Sequence, residues 1–226
     1  YSVRVTTLTS PAFSDTSSSF RILPPTPTIG SASDASSTAY ISVTWSLVSG
    51  NPSYRIYRAT SATGTYSLID TVSGTTNYND ASATPGTRYY YKIAALRNGV
   101  EGNLSNWDDG VRDIVAPSLT TSGNTSRVYL DWNDITGRTE YRVYRSTSST
   151  TGYSQIGTAS SSYYYDYSAT PGQRYYYKVA AYNPNTGESL SSYAEGHRSL
   201  AQVTGLTTVS HEGDHVLYWS SVSGAV

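Results

Sequence analysis

The segment PGTRYYYKIAA, residues 85–95, returns nearly unchanged as PGQRYYYKVAA, residues 171–181. Its aromatic and β-branched residues alternate and do not follow helical spacing, which predicts a strand with one buried face. The face predicted to be buried carries Tyr89, Tyr91, Ile93 and Ala95, and in the second copy Tyr175, Tyr177, Val179 and Ala181. The chain therefore encodes the same strand twice, and the other segments repeat around it.

The repeat has a period of 87 residues, because Trp45, Trp132 and Trp219 recur at that interval. YRIYR at 54–58 likewise returns as YRVYR at 141–145. We match YND at 78–80 with YDY at 165–167, and Pro85 with Pro171. That match predicts the loss of one residue in the loop that leads to the proline. A unit of this length can close its own core, as a domain does.

The repeat predicts four segments. Residues 24–115 and 116–199 form two complete units, and residues 200–226 begin a third. Residues 1–23 are interpreted as the last two strands of a preceding sandwich, separated from the first unit by a proline-rich linker. The chain is thus expected to be a window from a longer array. Short alternating runs with turns about every 8–12 residues favour antiparallel β-sandwiches.

The tryptophan strand, the YRIYR strand and the PGTRYYYKIAA strand together resemble fibronectin type III domains, in the tandem form found in large secreted bacterial proteins. The resemblance covers about residues 24–226. It implies an all-β fold of tandem seven-stranded antiparallel sandwiches. It also implies that Tyr89 and Tyr175 are corner tyrosines, whose hydroxyls bond to a nearby loop. The roles it implies are spacing, adhesion or assembly.

Composition excludes several classes of function. The formal net charge of −1 gives no basic surface for nucleic acid. No stretch of 18 apolar residues occurs, so no membrane insertion is predicted for this segment. Cysteine is absent, so no disulfide can form. The resemblance to fibronectin type III arrays implies an extracellular or cell-surface protein.

One catalytic motif matches the sequence in its residue types but not in its predicted secondary structure. HEGDH at 211–215 matches the zinc-protease motif HExxH, which requires a helix. Gly213 disfavours a helix interior, and the repeat instead predicts a hairpin before the Trp219 strand. The remaining histidine, His197, lies in a predicted closing strand. We therefore predict no catalytic residue, no metal site, no cofactor and no enzymatic activity.

Acidic pairs at 79–80, 108–109 and 133–134 have two interpretations. Their oxygens could bind Ca²⁺, but asparagine and aspartate are also typical turn residues, and solvated turns are the favoured interpretation.

Aromatic residues on the outward faces define the candidate contact surface. Its members are Tyr57, Tyr90 and Trp107 in the first unit, and Tyr144, Tyr176 and Tyr193 in the second. Three interpretations remain open for them: exposed strand residues without a role, packing against a neighbouring protein, and stacking on sugar rings. Asn103 and Asn124 match the N-glycosylation acceptor pattern.

These observations predict a non-catalytic structural array. It would be a stalk, fibre or filament subunit of a bacterial surface or appendage protein, with copies of itself or other surface proteins as partners. The alternative is a spacer or carbohydrate-binding region of a large secreted polysaccharide-degrading enzyme, with carbohydrate as the partner.

Overall fold

The computed structural model describes residues 23–50, 52–211 and 214–222, and the elements in that part of the chain are all β-strands. The two strands predicted before residue 23 lie outside the described residues. Within the described ranges, no helix is long and apolar enough to cross a membrane.

The first unit is a sandwich of two antiparallel sheets. Its strands are Ile29–Ala32 (β1), Ile41–Trp45 (β2), Ser53–Ala59 (β3), Ser67–Ser73 (β4), Asn77–Asp80 (β5), Arg88–Arg97 (β6), Val100–Glu101 (β7) and Asp108–Val111 (β8). One sheet has the order β1-β2-β5, and the other has the order β4-β3-β6-β7, with β8 also paired to β6. Because β7 and β8 both lie along β6, they are two parts of one interrupted seventh strand.

The second unit repeats this arrangement. Its strands are Leu119–Gly123 (β9), Val128–Trp132 (β10), Glu140–Ser146 (β11), Ser154–Ala159 (β12), Tyr163–Asp166 (β13), Arg174–Asn183 (β14), Gly187–Leu190 (β15) and Ala194–His197 (β16). The sheets are β9-β10-β13 and β12-β11-β14-β15, with β16 paired to β14. After it, Thr207–His211 (β17) and Asp214–Tyr218 (β18) form an antiparallel hairpin.

Each unit has its own core. The residues predicted to face inward are buried in these cores. Tyr91 and Ile93 are fully buried in the first core, and Tyr177 and Val179 in the second. Ile114, which the sequence-based boundary assigns to the first unit, packs in the second core. Among the described residues, the two clusters have no member in common. Two separate cores allow each sandwich to be stable independently.

The strand register corrects one sequence match. Val43 pairs with Tyr78, and its counterpart Leu130 pairs with Tyr164, so Tyr164 and not Tyr165 is the partner of Tyr78 in the repeat. The match with 165–167 was wrong by one position. The lost residue lies in the β4–β5 connection, since the preceding strand still keeps the 87-residue interval. Identical tyrosine letters at 164 and 165 concealed this shift.

Candidate contact surface

The three predicted contact residues of the first unit lie on one face of its larger sheet. Tyr57 is paired with Lys92, and Tyr90 lies two residues before Lys92 on β6. Tyr57, Tyr90 and Lys92 therefore lie on the same side of the sheet. The ring of Trp107 meets that of Tyr90 edge-on, with centroids 5.2 Å apart. Trp107 is 45% exposed, so this ring pair is open to a partner.

The second unit reproduces the face. Tyr176 and Tyr193 meet edge-on with centroids 5.4 Å apart. The hydroxyl of Tyr144 donates to Glu188 Oε1 at 2.8 Å, and Arg142 Nη1 lies 2.8 Å from the same oxygen. The first unit has the equivalent triad of Tyr57, Arg55 and Glu101. The structure therefore places the six predicted residues on equivalent sheet faces of the two units. On each face two of them form a ring pair, and the third is held by a glutamate.

Sequence reasoning missed two parts of this surface. Tyr66 and Tyr153 lie beneath the ammonium groups of Lys92 and Lys178, at 4.7 and 4.6 Å from Nζ to ring centroid. Glu101 and Glu188 hold the tyrosine hydroxyls described above. Each of the two pairs is separated by the 87-residue period, so the sequence repeat could have identified these residues as part of the surface. Burial, and then the neighbouring glutamate, raise the pKa of Tyr57 and of Tyr144.

The acidic pair at 79–80 is not a solvated turn. Asp80 ends β5 with its side chain fully buried, and Asp166 occupies the same place in the second unit. Asp80 accepts hydrogen bonds from Tyr91, Arg58 and Ser82. The favoured interpretation was wrong here, because an arginine on the facing strand makes burial of the carboxylate tolerable.

One side chain of each of the other two acidic pairs accepts a hydrogen bond from a backbone N–H group within its own unit. Asp108 accepts a hydrogen bond from the Ala32 backbone at 2.7 Å, and Asn133 accepts one from Ser118 at the same distance. Within the described ranges, no three histidine, cysteine, aspartate or glutamate side chains cluster to hold a metal ion.

The HExxH match lies in a hairpin, as the repeat predicts. His211 ends β17 and pairs with Asp214 at the start of β18, and His215 Nδ1 lies 2.8 Å from Ser210 Oγ. A β-hairpin does not place the two histidines on one helical face, so the geometry that the zinc motif requires is not present at these residues.

The corner tyrosines bond to the loop before them. The hydroxyls of Tyr89 and Tyr175 donate to Thr84 and Thr170 at 3.4 and 3.2 Å. Each threonine lies five residues upstream of its tyrosine.

The two glycosylation candidates stay predictions. Asn103 is exposed, but the hydroxyl of Ser105, which completes its acceptor pattern, is buried and hydrogen-bonded. Asn124 is exposed in the β9–β10 turn, where its Oδ1 accepts from Ser126 N at 2.8 Å.

A second aromatic surface lies on the smaller sheet of the second unit and was not predicted. We call it the tyrosine ladder, and its members are Tyr129, Tyr163, Tyr165 and Tyr167. Its signal in the sequence was the run SYYYDY at 162–167, which has no aromatic match at the corresponding outward positions of the first unit.

The two sandwiches meet at the Pro85–Gly86 turn. Asn185 Nδ2 of the second unit donates to the backbone oxygen of Gly86 at 2.9 Å. A Cβ atom added at Gly86 would lie 2.6 Å from the backbone oxygen of Gly137, so the two main chains approach closely there. Both glycines have positive φ, 73° and 89°. We call this contact the junction.

Known proteins support the fold. No family model matches the chain. A two-domain fibronectin type III segment of chicken tenascin superposes with a TM-score of 0.56 at 17% identity, over 76% of this chain and 97% of that one. An Fn3-like protein from Clostridium thermocellum is 37% identical over 39% of this chain and 93% of its own, with a TM-score of 0.36. The two complete units therefore have the fold of tandem fibronectin type III domains, and the predicted fold is confirmed.

Among curated proteins, an amylopullulanase of Thermoanaerobacter thermohydrosulfuricus is 32% identical over 88 residues. The match covers 39% of this chain and 6% of the relative, so the two share a region of about one domain.

Proposed function

We propose that the chain is a non-catalytic spacer region of a large secreted polysaccharide-degrading protein, in which successive sandwiches hold flanking parts at a set separation. The observation that carries this is the junction, where Asn185 of one sandwich bonds to the Gly86 backbone of the other. A direct contact between the units restricts the angles available to them, which a flexible linker would not do. The one-domain similarity to an amylopullulanase supports the class of parent protein and an extracellular location.

Distance measurements between spin labels test the spacer. The chain has no cysteine, so Ser67→Cys and Ser154→Cys place one label at the equivalent exposed position of each unit. We expect one narrow distance distribution. Gly86→Val should broaden it, because the new side chain collides with the Gly137 backbone across the junction.

Gly172→Val is the matched control, since Gly172 is the repeat equivalent of Gly86 and has a similar φ of 77°. It introduces the same local backbone strain away from the junction and should leave the distribution narrow. A distribution that is already broad in the unsubstituted chain would contradict the spacer.

The structural array is the second candidate, and one observation favours it. Both units present the same edge-on ring pair at the same place, Tyr90 with Trp107 and Tyr176 with Tyr193. A repeated surface could join copies of the chain into a polymer. This candidate predicts ordered polymers by negative-stain electron microscopy, and their loss when Trp107 and Tyr193 are both changed to Ala. A chain that sediments as a monomer at high concentration would exclude it.

A further inference from the structure

The tyrosine ladder is a continuous row of rings on the outer face of the β9-β10-β13 sheet. Tyr129 pairs with Tyr165 across the sheet, with ring centroids 5.2 Å apart. Along the edge strand, Tyr163 and Tyr165 are 5.4 Å apart, and Tyr165 and Tyr167 are 6.1 Å apart. Tyr163 and Tyr167 are 46% and 58% exposed. The row follows β13 and its continuation, and its end rings, Tyr163 and Tyr167, are the ones most accessible to solvent.

The first unit shows that these rings are not needed for folding. Its β1-β2-β5 sheet has the same order and pairing, but Ser42 and Asn79 occupy the pair held by Tyr129 and Tyr165. Asn77 stands where the second unit has Tyr163. Both units nevertheless close equivalent cores around a buried tryptophan. The large aromatic area of the second unit is therefore an addition to a face that the fold leaves polar.

The surroundings of the ladder are rich in hydroxyl groups and carry few charges. The described outward residues of β9, Thr120 and Ser122, carry hydroxyls. A groove of about 370 Å³ beside the ladder is lined by four tyrosines and by Thr158, Ala159, Ser160 and Ser161. Arg127 stacks on Tyr165, with its guanidinium carbon 4.2 Å from the ring centroid. Asp131 accepts a hydrogen bond from Tyr129. Among the described residues, one cation and one anion, Arg127 and Asp131, contact the tyrosine side chains, and Arg198 contacts the backbone oxygen of Tyr167.

We propose that the tyrosine ladder binds an uncharged polysaccharide chain. The faces of pyranose rings carry C–H groups of slight positive polarity, which suit the negative faces of tyrosine rings. Alternate residues of a strand advance by about 6.6 Å, which is comparable to one ring of an extended glycan. The hydroxyls of serine, threonine and tyrosine can then exchange hydrogen bonds with those of the sugar.

Other occupants fit the face less well. The described outward residues of β9, β10 and β13 include no aliphatic side chain, whereas the core of a protein interface combines aromatic with other apolar groups. Nucleic acid requires several free cations, and Arg127 is the one cation that lies over these rings within the described part of the chain. The pairing of rings with hydroxyls favours a sugar chain.

Affinity electrophoresis of the whole chain tests the proposal, with amylopectin, pullulan, xylan or hydroxyethylcellulose cast in the gel. The variant is Tyr129→Ser, Tyr163→Asn, Tyr165→Asn, which installs the residues that the first unit already carries. We expect at least one of these glycans to retard the unsubstituted chain. The variant should bind that glycan with roughly tenfold or more lower affinity. The matched control is Tyr176→Ser, Tyr193→Ser on the other sheet of the same unit, which should keep the retardation.

The reverse graft guards against an effect of misfolding. Ser42→Tyr, Asn77→Tyr, Asn79→Tyr should give the first unit a second ladder and increase retention through two sites on one chain. Retention should be insensitive to salt. No retardation by any of the four glycans, equal retardation in the ladder variant, or retention that disappears at high salt would each overturn the proposal.

Glycan binding by the ladder does not depend on the junction between the two units. The ladder variant should leave the distance between the spin labels unchanged, and Gly86→Val should leave glycan retention unchanged. Failure of one proposal therefore does not imply failure of the other.

Discussion

The hydroxyl of Tyr91 donates a hydrogen bond to Asp80 Oδ2 at 2.8 Å inside the first sandwich, and Tyr177 bonds to Asp166 at 2.9 Å in the second. Each carboxylate also receives an arginine from the facing sheet, Arg58 or Arg145, at 2.7 Å. A charge is thus buried twice, at the same position of the repeat, with its partners fixed in place. Such a pair adds little net stability when intact but costs a great deal when broken.

We predict that Asp80→Ala destabilises the first unit by about 3–5 kcal/mol, because it leaves the guanidinium of Arg58 largely buried without its counter-ion. Chemical denaturation of the whole chain measures the change. Asp70→Ala, which removes an exposed carboxylate from β4, should change the stability by less than about 1 kcal/mol. A loss as small for Asp80 as for Asp70 would contradict the role assigned to the pair.

The same cluster predicts two pH limits. Burial alone would raise the pKa of Asp80, but hydrogen bonds from Ser82, Arg58 and Tyr91 outweigh it and lower the pKa below the usual value. The stabilisation is therefore complete above about pH 4, the unfolded pKa, and is lost as the pH falls through the lower folded pKa. Burial, and then Asp80, raise the pKa of Tyr91, so a second loss of stability begins above about pH 10.

Calorimetric melting temperatures across this pH range measure both limits. Tyr91→Phe combined with Tyr177→Phe should weaken the alkaline decline, since both buried hydroxyls are removed. A melting temperature that starts to fall between pH 5 and 9 would show that other groups control the pH dependence.

Trp132→Ala should unfold the second unit and spare the first. Trp132 is 5% exposed and meets Tyr141 edge-on at 5.1 Å, so truncation leaves a cavity that costs about 3–5 kcal/mol. Trp132→Phe should cost less, because the buried indole Nε1 has no hydrogen-bond partner in the described part of the chain. Residue-resolved hydrogen exchange follows each unit separately. Equal loss of protection in both sandwiches would show that they fold as one unit.

The sequence predicts the central strands and which face of each is buried. Tyr91, Ile93 and their copies alternate with residues of the opposite face, and this alternation defines the buried side. Asp80 was misjudged because the pair Asn-Asp is typical of turns, and the arginine that stabilises it is 22 residues away in sequence. The tyrosine ladder was missed for a register reason. A one-residue shift exchanges the inward and outward faces of a strand. Because Tyr78 packs against the first core, matching it with Tyr165 concealed that Tyr165 lies on the outward face.

Ser105 completes the interrupted seventh strand with its side chain. Its Oγ accepts a hydrogen bond from the Ile93 backbone at 2.9 Å, between the stretches where β7 and β8 pair with β6. Ser191 does the same for Val179 at 3.0 Å. We predict that Ser105→Ala costs about 1–3 kcal/mol, since a buried N–H loses its acceptor and water cannot replace it. Hydrogen exchange at the Ile93 amide should accelerate while the Val179 amide keeps its protection, and Ser191→Ala should reverse the two. If each variant accelerated both amides equally, the serine would not be acting locally on the strand beside it.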